Sequence, residues 1–172
     1  ASGCSLTSFA GSGSSYTVTC TATSDGTPTV SVAAGTYNDG VGNDNTVSNT
    51  YTWTYDSTAP STTITSSTVS SGASTSTAAI ALAFDTGEST TDFDVNDISA
   101  SGCSLTSFAG SGSSYTATCT ATSEGTPTVS VAAGTYNDGV GNDNTVSNTY
   151  TWTYDSTALS ITIASSTSGV TS

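Results

Sequence analysis

Alternating apolar and polar positions along the chain predict β-strands. Residues 78–84 alternate alanine with larger apolar side chains, and residues 149–154 alternate threonine with tyrosine or tryptophan. Successive side chains of a strand point to opposite faces, so each segment would bury one face only. The aromatic row could instead be a sugar-binding platform, but we expect it to pack in the core. The positions predicted to face the core are Ile80, Leu82, Phe84, Tyr150, Trp152 and Tyr154.

The residues between these segments predict further strands and turns. Residues 85–92 predict a polar loop, and residues 93–98 predict a strand with Phe93 and Val95 facing inward. Because Ile98 breaks the alternation, a bulge is expected near Asn96 or Asp97. No segment has a helical period. The remaining strands are predicted at residues 62–65, 103–108, 115–121 and around Val129 and Val131.

A long internal repeat sets the domain organisation. Residues 1–59 return as residues 100–158, a period of 99 residues (100 minus 1). A period of this size is that of one compact module in an array. The copies differ, through residue 60, at three positions: Val18 against Ala117, Asp25 against Glu124, and Pro60 against Leu159.

Short strands separated by Gly, Ser, Asn and Asp turns favour tandem antiparallel seven-stranded immunoglobulin-like sandwiches. Residues 1–56 would be the C-terminal part of one repeat, residues 57–155 one complete repeat, and residues 156–172 a linker and the first strand of the next. We expect the chain to be a window on a longer array.

Four cysteines form two equally spaced pairs, Cys4 with Cys20 and Cys103 with Cys119. With no Cys-x-x-Cys and no histidine, this spacing predicts disulfides rather than zinc or redox chemistry. Each pair flanks a glycine-rich hairpin turn, at residues 109–114 in the second copy. If Cys103 stands opposite Cys119, then Leu105 falls opposite Ala117. Disulfides indicate an oxidising compartment, so the protein is expected to be extracellular, at a cell surface or in a secreted filament.

The charge balance excludes several partners. The chain has 13 acidic residues, no Lys, Arg or His, and a formal net charge of −13. Nucleic acid and anionic membrane surfaces are both bound largely through cationic side chains, so neither is an expected partner. Catalysis is also disfavoured, because a hydroxyl nucleophile would have no ordinary base or cationic clamp. Paired carboxylates that hydrolyse glycosides are a weaker alternative.

The acidic loops suggest a calcium site. The string Asp-Gly-Val-Gly-Asn-Asp-Asn occurs at residues 39–45 and again at residues 138–144. In a seven-stranded sandwich, its loop, the loop after the second strand and the incoming linker emerge at one end. Carboxylate oxygens without nitrogen or thiolate ligands suit calcium. The alternative is that the string only shapes tight turns. The predicted ligands are Asp56, Asp85, Glu88, Asp92, Asp138 and Asp143.

Several motifs in one order resemble the bacterial immunoglobulin-like domains of giant repetitive surface adhesins. The resemblance implies a seven-stranded sandwich repeated in a long stalk, often with calcium stiffening the junctions. A cysteine pair on the central hairpin departs from the usual pattern of that family. The motifs that carry the resemblance are Asp56 to Pro60, Phe93, Asp97-Ile98, Gly102, Tyr115, Gly125, Val129-Ser-Val131 and Asp138-Gly-Val-Gly-Asn142.

These observations predict a structural stalk segment whose partners are neighbouring Ig-like repeats of the same protein. One alternative is a multivalent carbohydrate- or protein-binding module, for which the repeat would provide avidity. Another is a filament that self-associates by strand exchange.

Overall fold

The computed structural model describes residues 1–164. It contains two compact units. The first unit comprises residues 1–59 with 139–142, and the second comprises residues 60–138 and those from 143 onward. The part of the predicted segment 156–172 that begins at residue 165 lies outside the described residues.

The first unit is built from two pairs of antiparallel strands. Strand β1 (Cys4–Ser12) and strand β2 (Ser15–Ala22) form a hairpin, and β3 (Thr29–Val30) pairs with β4 (Tyr51–Thr52). Gly11 has a φ of +144°, and a Cβ there would lie 2.3 Å from the carbonyl oxygen of Ser15. Only glycine therefore fits this approach of the two hairpin strands.

The second unit contains two three-stranded sheets. In one, β7 lies between β5 and β9; in the other, β10 lies between β8 and β11; the short β6 and β12 pair in parallel. The pairs within each three-stranded sheet are antiparallel. This arrangement confirms the predicted all-β, immunoglobulin-like sandwich. The strands are β5 (Thr63–Ser66), β6 (Ser74–Thr75), β7 (Ala79–Thr90), β8 (Ile98–Ser101), β9 (Cys103–Ala121), β10 (Thr128–Val131), β11 (Tyr150–Thr151) and β12 (Thr153–Tyr154).

The core of the second unit follows the predicted alternation. Ile80, Leu82 and Phe84 are at most 1% exposed. Tyr150 and Trp152 are buried, and Tyr154 packs against the same core. The aromatic row is therefore core in this unit rather than a sugar platform. Phe93 is the centre of an aromatic cluster, with ring centroids 4.9 to 6.0 Å from four neighbouring rings: Phe84, Phe108, Tyr115 and Tyr136.

Two predicted elements are wrong. The polar loop expected at residues 85–92 is instead mostly strand, since β7 continues to Thr90. Its register shifts between Asp85 and Thr90, where Gly87 adopts a φ of +75°. Acidic and glycine residues there occupy a bulged strand, and Thr86 is fully buried in it.

A 3-10 turn at Val95–Asp97 replaces most of the strand expected at residues 93–98. The Asp94 carboxylate accepts a hydrogen bond from the Asn96 N–H at 2.6 Å, and the Asp97 carboxylate accepts one from the Asp94 N–H at 2.7 Å. These side chains offer the backbone an alternative to strand pairing. Val95 is consequently 39% exposed rather than inward, whereas Phe93 and Ile98 are buried.

The same residues are exposed in the first unit and buried in the second. Tyr16 is 55% exposed, whereas its counterpart Tyr115 is 5% exposed. In the second unit, β7 pairs with β9 along the segment that holds Tyr115. The described residues of the first unit include no counterparts of β5 and β7. Phe9, Tyr37 and Tyr51 of the first unit are each more than 60% exposed.

Candidate functional site

Two of the predicted calcium ligands meet at one edge of the second unit. Glu88 lies in the bulged stretch of β7 between Asp85 and Thr90, and Asp138 lies in the connection between β10 and β11. One carboxylate oxygen of Glu88 lies within 4.8 Å of one from Asp138. Asp138 is only 5% exposed. Asp56 belongs to the first unit, so its assignment as a ligand stays a prediction.

Two other predicted ligands accept hydrogen bonds from protein groups. The Asp85 carboxylate accepts a hydrogen bond from the Gly87 N–H at 3.0 Å. The Asp92 carboxylate accepts one from the Thr90 hydroxyl at 2.6 Å and another from the Asn137 N–H at 3.2 Å. Asp92 therefore connects the end of β7 to Asn137, the residue just before the repeated acidic string.

Asp143 is exposed, and its backbone forms a β-bridge with Asn137 across the loop. Among the described Asp, Glu, Cys and His side chains, Asp85, Asp92 and Asp143 do not join a group spaced to share one ion. The structure thus does not bring the carboxylates of Asp85, Asp92 and Asp143 together with that of Asp138 in a group that could share one ion.

The acidic residues near this edge share one electrostatic environment. Burial raises the pKa of the Tyr136 hydroxyl, and the negative charges of Asp97, Asp92 and Glu88 raise it further, against the lowering effect of its hydrogen bond with Thr62. Burial also raises the pKa of Asp97, as do the charges of Asp94 and Asp92. These carboxylates are close enough to repel one another's charge, and the chain has no Lys, Arg or His to balance them.

The last residue of the repeated string, Asn144, has a structural role that the sequence reasoning missed. It is 3% exposed. Its side-chain oxygen accepts hydrogen bonds from the backbone N–H groups of Thr135 and Tyr136, at 2.8 and 3.0 Å. Its side-chain nitrogen donates to the carbonyl oxygens of Ala132 and Thr145. One buried amide therefore holds both ends of the loop. Its hydrogen bonds also satisfy its own polar atoms, as burial requires.

The first copy of the string shows the turn chemistry that was the alternative to calcium. The Asp39 carboxylate accepts hydrogen bonds from the N–H groups of Val41 and Asn43, both at 3.0 Å, and from the Asn43 side chain at 2.8 Å. Hydrogen bonds with Asn43 and Val41 hold the pKa of Asp39 below its usual value. Asn45 repeats the contacts of Asn144 in this copy.

An acidic side chain in each unit holds the linker that follows that unit, a contact that the sequence reasoning also missed. In the second unit, the Glu124 carboxylate accepts hydrogen bonds from the Ser156 N–H at 2.9 Å and from the Thr157 hydroxyl at 2.8 Å. Asp25 makes the equivalent contacts with Ser57 and Thr58. Hydrogen bonds with Thr157 and then Ser156 lower the pKa of Glu124. The exchange of Asp25 for Glu124 between the copies thus preserves the contact.

Both predicted disulfides are formed, joining Cys4 to Cys20 and Cys103 to Cys119. In the first unit the hairpin register differs from the expected one by two residues, because Leu6 rather than Cys4 lies opposite Cys20. The bond therefore joins diagonal neighbours, whose Cα atoms are 5.6 Å apart. The Cys103–Cys119 bond joins two residues near the ends of β9, whose Cα atoms are 5.8 Å apart. Cys119 is fully buried.

No helix among residues 1–164 has the length and apolar character needed to cross a membrane. Searches of curated proteins and of solved structures gave no significant match. Residues 56–154 match the family described as the bacterial Ig-like domain. The matched segment covers more than half of the chain and coincides with the sandwich and its Asp138 loop. The chain therefore belongs to the bacterial Ig-like domain family.

Proposed function

We propose that this chain is a segment of a long extracellular stalk, in which Ig-like modules follow one another and hold an adhesive or filament tip away from a microbial surface. The observation that carries the proposal is the nearly identical repeat with its period of 99 residues (100 minus 1). Enzymes rarely need near-identical copies of a whole module, whereas a spacer gains length from each copy.

Family and covalent structure support an extracellular setting. The chain is a bacterial Ig-like domain protein with two disulfides, which points to an extracellular or surface protein. Ig-like domains of this kind are typically non-enzymatic, and we propose the same for this chain. The contacts of Glu124 and Asp25 with the linkers support a spacer role, because they order the residues that leave each unit.

The length of the native polypeptide tests the stalk proposal. Antibodies against residues 57–155 should detect, in reduced and denatured surface extracts, a polypeptide several times heavier than the 16.9 kDa of this chain. Partial proteolysis should then release fragments that differ by one module. A native polypeptide of about this chain's own mass would contradict a many-module stalk.

Calcium binding at the edge formed by Glu88 and Asp138 is a second part of this proposal. The donor set fits the ion, because both side chains offer oxygen and one of them is buried. Bound calcium would hold the bulge of β7 against the Asp138 loop.

Calcium should therefore raise the melting temperature of the protein, and EDTA should reverse the increase. At a calcium concentration about 100 times the dissociation constant, linkage would add about 2.7 kcal/mol to the free energy of unfolding. Glu88→Gln and Asp138→Asn should each weaken binding by roughly tenfold or more in a calorimetric titration, because each removes a charged ligand. Glu124→Gln is the matched control and should leave the affinity unchanged. Equal affinities in all four proteins, or no binding heat, would leave turn chemistry as the only role of Asp138.

A further inference from the structure

The two cysteines of the second unit differ in their access to solvent. Cys119 lies in the part of β9 that pairs with β7, directly opposite Ile80, and it is 0% exposed. Cys103 lies at the start of β9 and packs against the edge of the core, where it is half-buried. The bond therefore joins one cysteine that the core encloses to another that solvent reaches.

The enclosure of Cys119 is made by the core of its own sheet. Ile80, its partner on β7, is 0% exposed. Tyr115 and Ala117, its neighbours on the same face of β9, are 5% and 3% exposed. Protein cores are packed too densely to admit a small molecule without rearrangement. A thiol can thus contact the Cys119 sulfur only by displacing this packing.

Thiol–disulfide exchange needs access to one sulfur and a stable leaving group at the other. A thiolate attacks one sulfur and forms a new S–S bond there, and the electron pair of the broken bond leaves on the other sulfur as a thiolate. In the folded unit, burial blocks attack on Cys119, so a thiol must attack Cys103. The leaving group is then the thiolate of Cys119.

The surroundings of Cys119 give a thiolate little stabilisation. An apolar core disfavours a charged sulfur, and a poorly stabilised thiolate leaves slowly. Cationic side chains and helix N-termini are the groups that stabilise thiolates in proteins. The chain has no Lys, Arg or His, and the described residues form no α-helix. Neither direction of attack is therefore favourable while the unit is folded.

We propose that the Cys103–Cys119 disulfide exchanges with small-molecule thiols only after the second unit unfolds. Unfolding exposes both sulfurs and lets water solvate the thiolate that leaves. A dithiol then completes the reduction. Its first thiolate forms a mixed disulfide with one cysteine, and its second thiolate attacks that bond, which releases the cysteine and leaves the dithiol oxidised.

The bond thus responds to two conditions together. A folded unit keeps the bond in the presence of thiols, and an unfolded unit keeps it in oxidising surroundings. Only an unfolded unit that meets a thiol loses the bond, and with it the restriction on the unfolded chain that favours refolding. This property goes beyond the stalk proposal and involves neither Glu88 nor Asp138, so it can fail independently of both parts of the proposed function.

The reduction of this bond can be measured in the whole 172-residue chain. Dithiothreitol is added, free thiols are alkylated at successive times, and the product is digested with a protease that cleaves after Asp and Glu. Cleavage after Asp25, Asp97 and Glu124 separates the two disulfides into fragments 1–25 and 98–124, which differ in mass. Mass spectrometry of fragment 98–124 gives the rate for the Cys103–Cys119 bond alone.

This rate should be roughly a thousandfold or more lower in the native protein than in the urea-unfolded protein, because few molecules are unfolded at any moment. At low dithiothreitol concentration, where refolding outpaces exchange, its logarithm should rise linearly with urea, with the slope of the equilibrium unfolding of the second unit. A rate that is independent of urea below the unfolding transition would overturn the proposal, because the thiol would then reach the bond in the folded unit. Equal rates in native and unfolded protein would overturn it as well.

A matched pair of variants separates unfolding from local access. Ile80→Val weakens the core opposite Cys119 and should raise the rate of reduction by about two- to tenfold. Val95→Ala changes a side chain that is 39% exposed and should leave the rate nearly unchanged. The increase in Ile80→Val should equal the increase in its unfolding equilibrium constant. A faster reduction without a matching change in that constant would show that the thiol enters the folded unit, which contradicts the proposal.

Discussion

Replacing Phe93 with alanine is expected to lower the free energy of unfolding of the second unit by about 3–5 kcal/mol. Phe93 is 4% exposed, and its ring lies within 6.0 Å, centroid to centroid, of four other aromatic rings. Truncation removes apolar surface from the core and leaves a cavity that rigid neighbouring rings fill poorly. This loss would be a large share of the stability of a domain of this size.

Urea denaturation followed by tryptophan fluorescence measures the effect, since Trp152 is fully buried in the same core. Val95→Ala is the matched control, two residues away and 39% exposed. It should shift the midpoint only slightly. If both variants unfold at the wild-type midpoint, then the aromatic cluster is not the packing centre of the unit.

Loss of the Cys103–Cys119 disulfide should have the next largest effect. The bond closes a loop with a sequence separation of 16 residues. By the chain-entropy model, opening a loop of this size costs about 3 kcal/mol, because the unfolded chain regains its freedom. We expect the double variant Cys103→Ala with Cys119→Ala to melt well below the oxidised protein in calorimetry.

Reduction also opens the Cys4–Cys20 bond of the first unit, so the reduced wild-type protein is compared with the reduced double variant, from which it differs only in the side chains at positions 103 and 119. The two should melt close to each other. An unchanged melting temperature after verified reduction would show that the bond does not stabilise this unit, and a large gap between the two reduced forms would assign the effect to packing of Cys119.

Sequence patterns predicted the fold where alternation was unbroken. The rows ending at Phe84 and Tyr154 bury the faces expected of them. The pattern failed where polar residues carry strand or turn structure. Thr86 and Thr90 are buried threonines in β7, in a stretch whose acids and glycine indicated a loop. Hydrogen bonds of Asp94 and Asp97, rather than hydrophobicity, determine the 3-10 turn.

The candidate site was predictable only in part, because residue type does not reveal which partner a carboxylate finds. Glu88 and Asp138 approach each other as the strand order suggested. Asp85 instead accepts a hydrogen bond from the Gly87 N–H, and Asp92 accepts hydrogen bonds from the Thr90 hydroxyl and the Asn137 N–H. These contacts compete with a metal ion for the carboxylate oxygens. The contact between Glu124 and its linker had one signal in the sequence. Both copies carry an acidic residue at this position, at the same distance before the Ser-Thr pair of the linker.

The disulfides also determine how far a stretched module can lengthen. A module of 99 residues (100 minus 1) has a fully extended length of about 350 Å. The disulfide joins the two ends of a loop with a sequence separation of 16 residues. Without the bond, this loop would add about 55 Å to the extended length of the module. Tension is therefore carried by the disulfide rather than by the loop, and about one sixth of the module stays unextended even after its sheets separate. In a surface fibre built from such modules, this part of each module would stay unextended for as long as the surroundings remained oxidising.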